Sequence, residues 1–309
     1  MKSLVCGEAL IDLIKHSDAS WHAHNGGGAF NTAKALMNLG ADVQYLCRIS
    51  RDSFGQQLSR DILDCGISQD LMVFTDDPTS LAVVELSDQG IPSYSFYLDK
   101  TSNFNWSAKE IPNNFPDFDA IHIGTLALIL EPGRSVLLNL IEDIRATNLV
   151  MVDLNARPTV VSESKDYSSL LAPWLSLANV IKVSDEDMDF LYPDSGTQER
   201  MNSLFEHPNI GLIAITHGSL GATLITRSVT ERQIAPKVEV KDTIGAGDIF
   251  GAALLMKLIE VGITADNLHQ IPKDQLSTVL KFANVAAALS CTKSSAQPPT
   301  LSQIIDFNG

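Results

Sequence analysis

Asp242-Thr243-Ile244-Gly245-Ala246-Gly247-Asp248 runs straight into the apolar segment Ile249-Phe250-Gly251-Ala252-Ala253-Leu254-Leu255. Two glycines flank an alanine where a polar loop gives way to a helix. The backbone N–H groups of residues 245–248 are thereby expected to lack intrahelical partners and to point one way. Such a helix start is an anion site, and the lack of side-chain bulk lets the backbone come close to the anion. Asp248 falls in the helix's first turn. A carboxylate beside an anion cradle is repulsive unless it has chemical work to do, such as taking a proton from an attacking hydroxyl. The stretch reads as a phosphoryl-transfer site.

Two rival glycine motifs fail, one on spacing and one on composition. A dinucleotide fingerprint needs its third glycine sooner than Gly251. The mostly helical pattern over 247–292 also offers no prompt return strand ending in an acid. A nucleotide P-loop needs Gly-Lys-Ser/Thr, a tripeptide absent from the chain. A tight loop before a helix is the structural alternative for the motif taken alone. It is weighed against a second cluster, Asn25-Gly26-Gly27-Gly28-Ala29-Phe30-Asn31, which opens a helix with Phe30, Ala33, Leu36 and Met37 at helical spacing and ends at Gly40.

Together, GGGAFNTAKALMNLGADVQYLCRISRDSFG and DTIGAGDIFGAALL resemble the two signatures of the ribokinase-like sugar kinases, the phosphofructokinase-B family. The similarity covers nearly the whole chain, in the family's order. GEALIDLI, DLNARP and VIKVSDEDMDFL look most like fructokinases. The resemblance implies a three-layer α/β/α fold with a mainly parallel central sheet, one domain over 1–309, and a small β-sheet lid. It implies transfer of the γ-phosphoryl of ATP to a primary hydroxyl of a monosaccharide, fructose first. Ribose, tagatose, 2-keto-3-deoxygluconate and a nucleoside are the alternatives. A catalytically silent sugar sensor is the reading from another class, and the intact Asp248 and cradle argue against it.

Site residues carry over by their match to the family. Asp248 is the general base, and the backbone N–H groups of Gly245, Ala246 and Gly247 hold the γ-phosphoryl as charge spreads over its oxygens. Asp12, Gly26, Gly27 and Asn31 match sugar-binding positions, Asp12 as an acceptor for vicinal hydroxyls and Asn31 as both donor and acceptor. Tyr97 and Thr125 are expected to border the sugar, with ordinary packing as the alternative. Arg157 is expected to pair with a transferring phosphate, with a surface ion pair as the alternative. Fructokinases often carry an arginine just after the lid's aromatic pair; here Phe96-Tyr97 is followed by Leu98, a departure that bears on the substrate and not on the chemistry.

On the nucleotide side, Ile215 to Ala222, with Thr216, Gly218 and Gly221, resembles the family's strand-turn-strand against the phosphates and ribose. Asn284 matches a residue beside the adenine. Ser184 opens the register of the family's Asn-x-x-Glu motif near the metal. Asp187 replaces the glutamate, one methylene shorter, so contact to Mg²⁺ through water is expected, with Glu186 as the competing carboxylate. Asp242 and the Ile244 carbonyl match the monovalent-cation (K⁺) site of some members, with the Ser290 and Ser295 carbonyls further on. Where a serine hydroxyl would complete that site, this chain has Pro299.

The chain has 309 residues and a formal net charge of −15, which argues against nucleic acid or an anionic membrane as partner. A phosphate site in such a protein must be built locally, from amides, metal ions and a few basic side chains. Cys6, Cys47, Cys65 and Cys291 show no Cys-x-x-Cys spacing and read as buried thiols of a reducing compartment. Glu8 and Asp12 interrupt the N-terminal apolar stretch, so it reads as a strand and not a signal peptide. No apolar run approaches the roughly 18 residues of a membrane span, and a cytoplasmic protein is expected. His22 and His24 read as lid histidines for want of a third metal ligand, and His122 and His217 as polar residues at strand ends.

The elements that must position these groups alternate. Apolar runs at 3–6, 43–47, 119–124, 149–153, 179–183 and 211–216 predict buried strands, with amphipathic helices over 30–39, 54–65 and 133–146 among those between them. Residues 11–24 and 71–98 break the alternation and read as strands, the second piece as a hairpin turning at Ser87-Asp88-Gln89-Gly90; the resemblance implies that these pieces form the β lid. Pairing two lids would cover their exposed edges, so a homodimer through the lid is expected.

Overall fold

A computed structural model describes residues 1–15, 20–86 and 92–307. The chain opens with β1 (Lys2–Cys6), β2 (Leu10–Lys15), β3 (Trp21–Gly26), α1 (Gly28–Asn38), β4 (Asp42–Ser50), α2 (Ser53–Asp64) and β5 (Met72–Thr75). It continues with β6 (Leu81–Leu86), β7 (Pro92–Tyr97), β8 (Ala120–Gly124), α3 (Gly133–Ile144), β9 (Leu149–Asp153), α4 (Ser164–Leu177) and β10 (Val180–Ser184). The remainder is α5 (Asp185–Leu191), α6 (Thr197–Phe205), β11 (Leu212–Thr216), β12 (Ala222–Ile225), β13 (Thr230–Gln233), α7 (Ala246–Glu260), α8 (Lys273–Ser290) and α9 (Leu301–Ile305).

A nine-stranded sheet runs in the order β13-β12-β11-β10-β9-β8-β1-β4-β5. From β11 to β5 every pairing is parallel; β12 and β13 add an antiparallel edge. Strands buried on both faces read as continuous apolar runs, which is why the six predicted strands all appear. Val5, Met151 and Val180 point into a core under α1, α2, α7 and α8, whereas Leu4, Val150 and Ile181 point into one under α3, α4, α5 and α6. The result is a three-layer α/β/α architecture. Every parallel strand delivers its C-terminal end to one edge of the sheet, the place where such folds bind ligands.

A separate four-stranded sheet has the order β3-β2-β6-β7. Two antiparallel pairs, β2 with β3 and β6 with β7, are joined by the parallel pair β2–β6. It departs from the expected lid at one end. Met72–Thr75 pairs with Cys47–Ser50 at the edge of the large sheet, so the lid's second half begins at Leu81 and not at residue 71. The predicted turn at 87–90 and the expected lid residues 16–19 lie outside the described residues.

Candidate active site

Gly245 is the N-cap of α7, and its φ of 73° and ψ of 0° are the left-handed conformation that glycine adopts without a Cβ penalty. A Cβ there would also sit 2.6 Å from Ala296 Cβ. Among the described residues, the amides of Gly245, Gly247 and Asp248 make no hydrogen bond within the protein. The Ala246 amide donates to Thr243 O at 3.2 Å. The cradle is therefore open at three of the four expected amides, and Ala246 closes the turn that shapes it. Asp248 is buried in the first turn, and Asn31 of α1 donates to its Oδ2 at 2.9 Å. Both glycine-rich helix starts thus meet at one carboxylate.

Beneath Asp248 lies a buried ion pair. Lys182 of β10 donates to both Asp153 oxygens, at 3.0 and 2.8 Å. Burial pushes the Asp248 pKa up to about 6 and the Asp153 charge adds to the rise, while Lys182, the Asn31 bond and Arg157 oppose it. For Lys182, burial alone would lower the pKa; Asp153, with help from Asp248 and Asp187, overcomes it and the net direction is up.

A cavity of about 420 Å³ opens on the other side of Asp248. Asp12, Gly27, Asn31, Thr125 and Arg157 line it together. Gly26 stands against Asp12: a Cβ there would come within 2.1 Å of Asp12 Oδ2. Burial raises the Asp12 pKa to about 6, with Arg157 lowering it and Asp248 raising it. Tyr97 is not in this lining. It is 61% exposed, and Phe96 faces the cavity instead, paired in the sheet with Ala82, another lining residue. Strand side chains alternate, so only one of two adjacent aromatics can face the cavity. Thr125 (φ 57°) donates to Glu8 Oε1, which also accepts from the Gly28 amide at 3.2 Å. Glu8 ties the ends of β1 and β8 to the start of α1. Burial lifts its pKa to about 7 against those bonds, and its Oε2 has no partner among the described residues.

A second cavity of about 590 Å³ lies across the cradle. It gathers Ser184, Thr216, Gly218, Gly221 and Asn284, with Phe250 and Ala287 supplying apolar wall. Asn284 already donates to Gln233 O at 3.3 Å. A polar passage of about 410 Å³ joins the two cavities past Gly245, Gly247, Asp248, Lys182 and Arg157. Arg157 borders both the passage and the 420 Å³ cavity, and its Nη1 is bonded to the Asn155 carbonyl, Asn155 Oδ1 and the Ala156 carbonyl at 3.0, 2.6 and 3.0 Å. Asp187 lines the passage, but its carboxylate caps α5 through the Ser184 amide (3.2 Å) and holds the Ala156 amide (3.0 Å). Glu186, exposed, borders both the passage and the 590 Å³ cavity. Asp242 accepts from the Ile244 amide (3.0 Å) and the Ser295 amide (2.9 Å), drawing the two loops together.

Sequence reasoning missed Lys182, Asp153 and the structural use of Glu8. The signal was present: a lysine inside VIKV and charged residues at the ends of apolar strands must be paired if buried. His122 also differs from its reading, since it lies in the interior of β8, buried, with neither ring nitrogen bonded among the described residues. Among the cysteines, Cys6 and Cys47 are buried, whereas Cys65 and Cys291 are half-buried, and all four are free thiols.

The fold and site define a phosphotransferase of the carbohydrate kinase class. Residues 1–303 match the pfkB family carbohydrate kinase profile, and the chain belongs to that family. It is 31% identical over 318 residues to a probable fructokinase-4 of Arabidopsis thaliana, covering 98% of this chain and 96% of the relative. The fructokinase of Xylella fastidiosa with bound ATP superposes with a TM-score of 0.91 at 26% identity, over 98% of this chain and 97% of that one. The aminoimidazole riboside kinase of Salmonella enterica shares the fold, with a TM-score of 0.83 at 24% identity over 99% of each chain.

Proposed function

We propose that the protein transfers the γ-phosphoryl of ATP to the primary hydroxyl of fructose. The observation that carries this is the burial of Asp248 between an open amide cradle and an acid-lined cavity. ATP lies in the apolar-walled cavity with its γ-phosphoryl on the amides of Gly245, Gly247 and Asp248. The sugar lies across the passage. As its hydroxyl oxygen bonds to phosphorus, the hydroxyl proton passes to Asp248 and the bond to the ADP oxygen breaks. The cradle is preorganised for the charge that develops on the phosphoryl oxygens.

Glu8, Asp12 and Asp248 make the sugar-side cavity acidic, and its lining includes one cation, Arg157, already tethered to its own loop. That balance fits an uncharged polyol and disfavours a sugar acid such as 2-keto-3-deoxygluconate. Mg²⁺, when bound with ATP, would neutralise phosphate charge; among the described residues no cluster of three metal-ligating side chains exists, so the ion would rest mainly on phosphate and water. Glu186 is placed to hold such waters, and Asp187 orders the turn beside it. A monovalent cation would sit by Asp242, with K⁺ as the candidate. Edge strands β3 and β7 carry the exposed Trp21 and Tyr97, the surface on which a homodimer would form.

Asp248→Asn tests the mechanism. It keeps the Asn31 contact and removes the proton acceptor, so kcat should fall by roughly 10²–10⁴ with sugar and ATP affinities little changed. A coupled ADP-release assay with fructose, tagatose, ribose and 2-keto-3-deoxygluconate reads both rate and substrate. Near-normal turnover of the variant would refute the role given to Asp248.

A further inference from the structure

Lys182 occupies an unusual channel. Its side chain is 5% exposed and lies along a groove on α7 made by two glycines four residues apart. A Cβ at Gly247 would sit 3.4 Å from Nζ, and one at Gly251 would sit 3.1 Å from Cδ. Gly251, which falls too late for a dinucleotide fingerprint, thus has a use: it lets the lysine stem pass. The ammonium ends under the first turn of α7, at the helix's positive end, where a cation is disfavoured. Asp153 holds it there from both oxygens. Buried ion pairs add little to stability over apolar residues of similar volume, so stability alone does not account for placing one beneath the cradle.

We propose that Lys182 and Asp153 form a positioning pair for the phosphoryl transfer, pressed against the glycine face of α7 to set the charge state in which Asp248 meets the sugar hydroxyl. The proposal rests on Asp248 being the base. Asp248 is faced by Asn31 from α1, Asp153 from β9, Lys182 from β10, Arg157 from the segment after β9, and Asp12 from β2. Lys182 is faced in addition by Asp187 from α5 and by His122 from β8. Burial, with Lys182 nearby, drives the His122 pKa down to about 3, so that ring stays neutral and adds no charge. Of the pair, the ammonium favours the ionised base and the Asp153 carboxylate opposes it.

The two members therefore predict opposite shifts. A base works ionised, so sugar kcat/KM falls as pH drops through its pKa. Lys182→Gln keeps a donor for Asp153 but removes the charge, and should move this acid limb up by about one pH unit. The loss relative to wild type should then be about fivefold larger at pH 6 than at pH 8.5. Asp153→Asn keeps the ammonium and should move the limb down. Each variant is measured in the full chain at saturating Mg-ATP, alongside its melting transition. If one does not fold, the other decides. A folded variant with an unmoved limb, or with a loss equal at every pH, overturns the proposal. So does a raised KM for ATP with no limb shift, which would place the ammonium on the phosphate itself. Asp248→Asn run beside them separates the layers: if it stays active the base assignment has failed, whereas an inactive Asp248→Asn with unmoved limbs fails the pair alone.

Discussion

Three carboxyl groups at the site hold protons more tightly in the folded protein than their ordinary values: Asp12 and Asp248 reach about 6 and Glu8 about 7, each because burial withholds solvent from the charged form. Between about pH 4 and pH 7 the folded chain binds more protons at these groups than the unfolded chain, so their contribution to stability is present below about pH 4 and is lost as pH rises through 6 and 7. Asp248 in particular opposes folding at pH 7.5, by up to about 3 kcal/mol from the displacement of its pKa. Asp248→Asn should therefore melt a few degrees higher than wild type at pH 7.5, with the gap narrowing towards pH 4, in the same variant that loses turnover. A helix-capping aspartate would do the reverse, and a lower melting temperature at pH 7.5 would contradict the electrostatic picture. At this scale the sequence exposed the groups that sit in glycine motifs, Asp248 and Asn31, because backbone chemistry marks them. Lys182 and Asp153 lie in apolar strands and Glu8 in the short connection between two of them, and only the fold shows what each one faces.

Among the elements, the start of α7 carries the most chemistry for its length. The left-handed residue is Gly245; Gly247 lies inside the helix, so backbone strain belongs to the first glycine and closeness to Lys182 to the second. Gly245→Ala should cost about 1–3 kcal/mol from the φ of 73° alone, with the contact to Ala296 added. It should also lower turnover, because the cradle amides turn with the helix start. Gly247→Ala meets Lys182 Nζ at 3.4 Å, an ordinary contact, and should unfold near wild type. Urea unfolding of the two variants checks this ordering, and equal stabilities would show that the cap conformation is not needed. The parallel strands were legible because burial on both faces makes them uninterrupted apolar runs. β5, four residues at the sheet edge, and β13, polar and half-exposed, lacked that signal. The choice between Phe96 and Tyr97 was illegible for a sharper reason. A one-residue change of register exchanges the faces of a strand, and composition does not report register.

Over the whole molecule, a net charge of −15 surrounds a site that must receive a polyanion. The local field is repaired by amides, by Arg157 and by Lys237 in the lining of the 590 Å³ cavity, the Lys182 charge being balanced by Asp153, but none of these acts far from the passage. At 0.01 M salt the Debye length is about 30 Å, so an approaching ATP–Mg complex feels most of the protein's charge; at 0.15 M it is about 8 Å and the complex feels mainly the mouth of its own cavity. Like-charge repulsion slows encounter, and screening relieves it. Raising ionic strength from 0.01 to 0.15 M should thus increase kcat/KM for ATP by about two- to threefold, the opposite of the trend in a basic phosphate-binding protein. Tetramethylammonium chloride as the salt keeps small alkali cations away from Asp242. An uncharged sugar supplies the internal control, since its kcat/KM at saturating ATP should stay flat over the same range. If kcat/KM for ATP falls with salt instead, a positive local field reaches well beyond the passage, and the surface charge would have to be strongly segregated away from the nucleotide-side mouth.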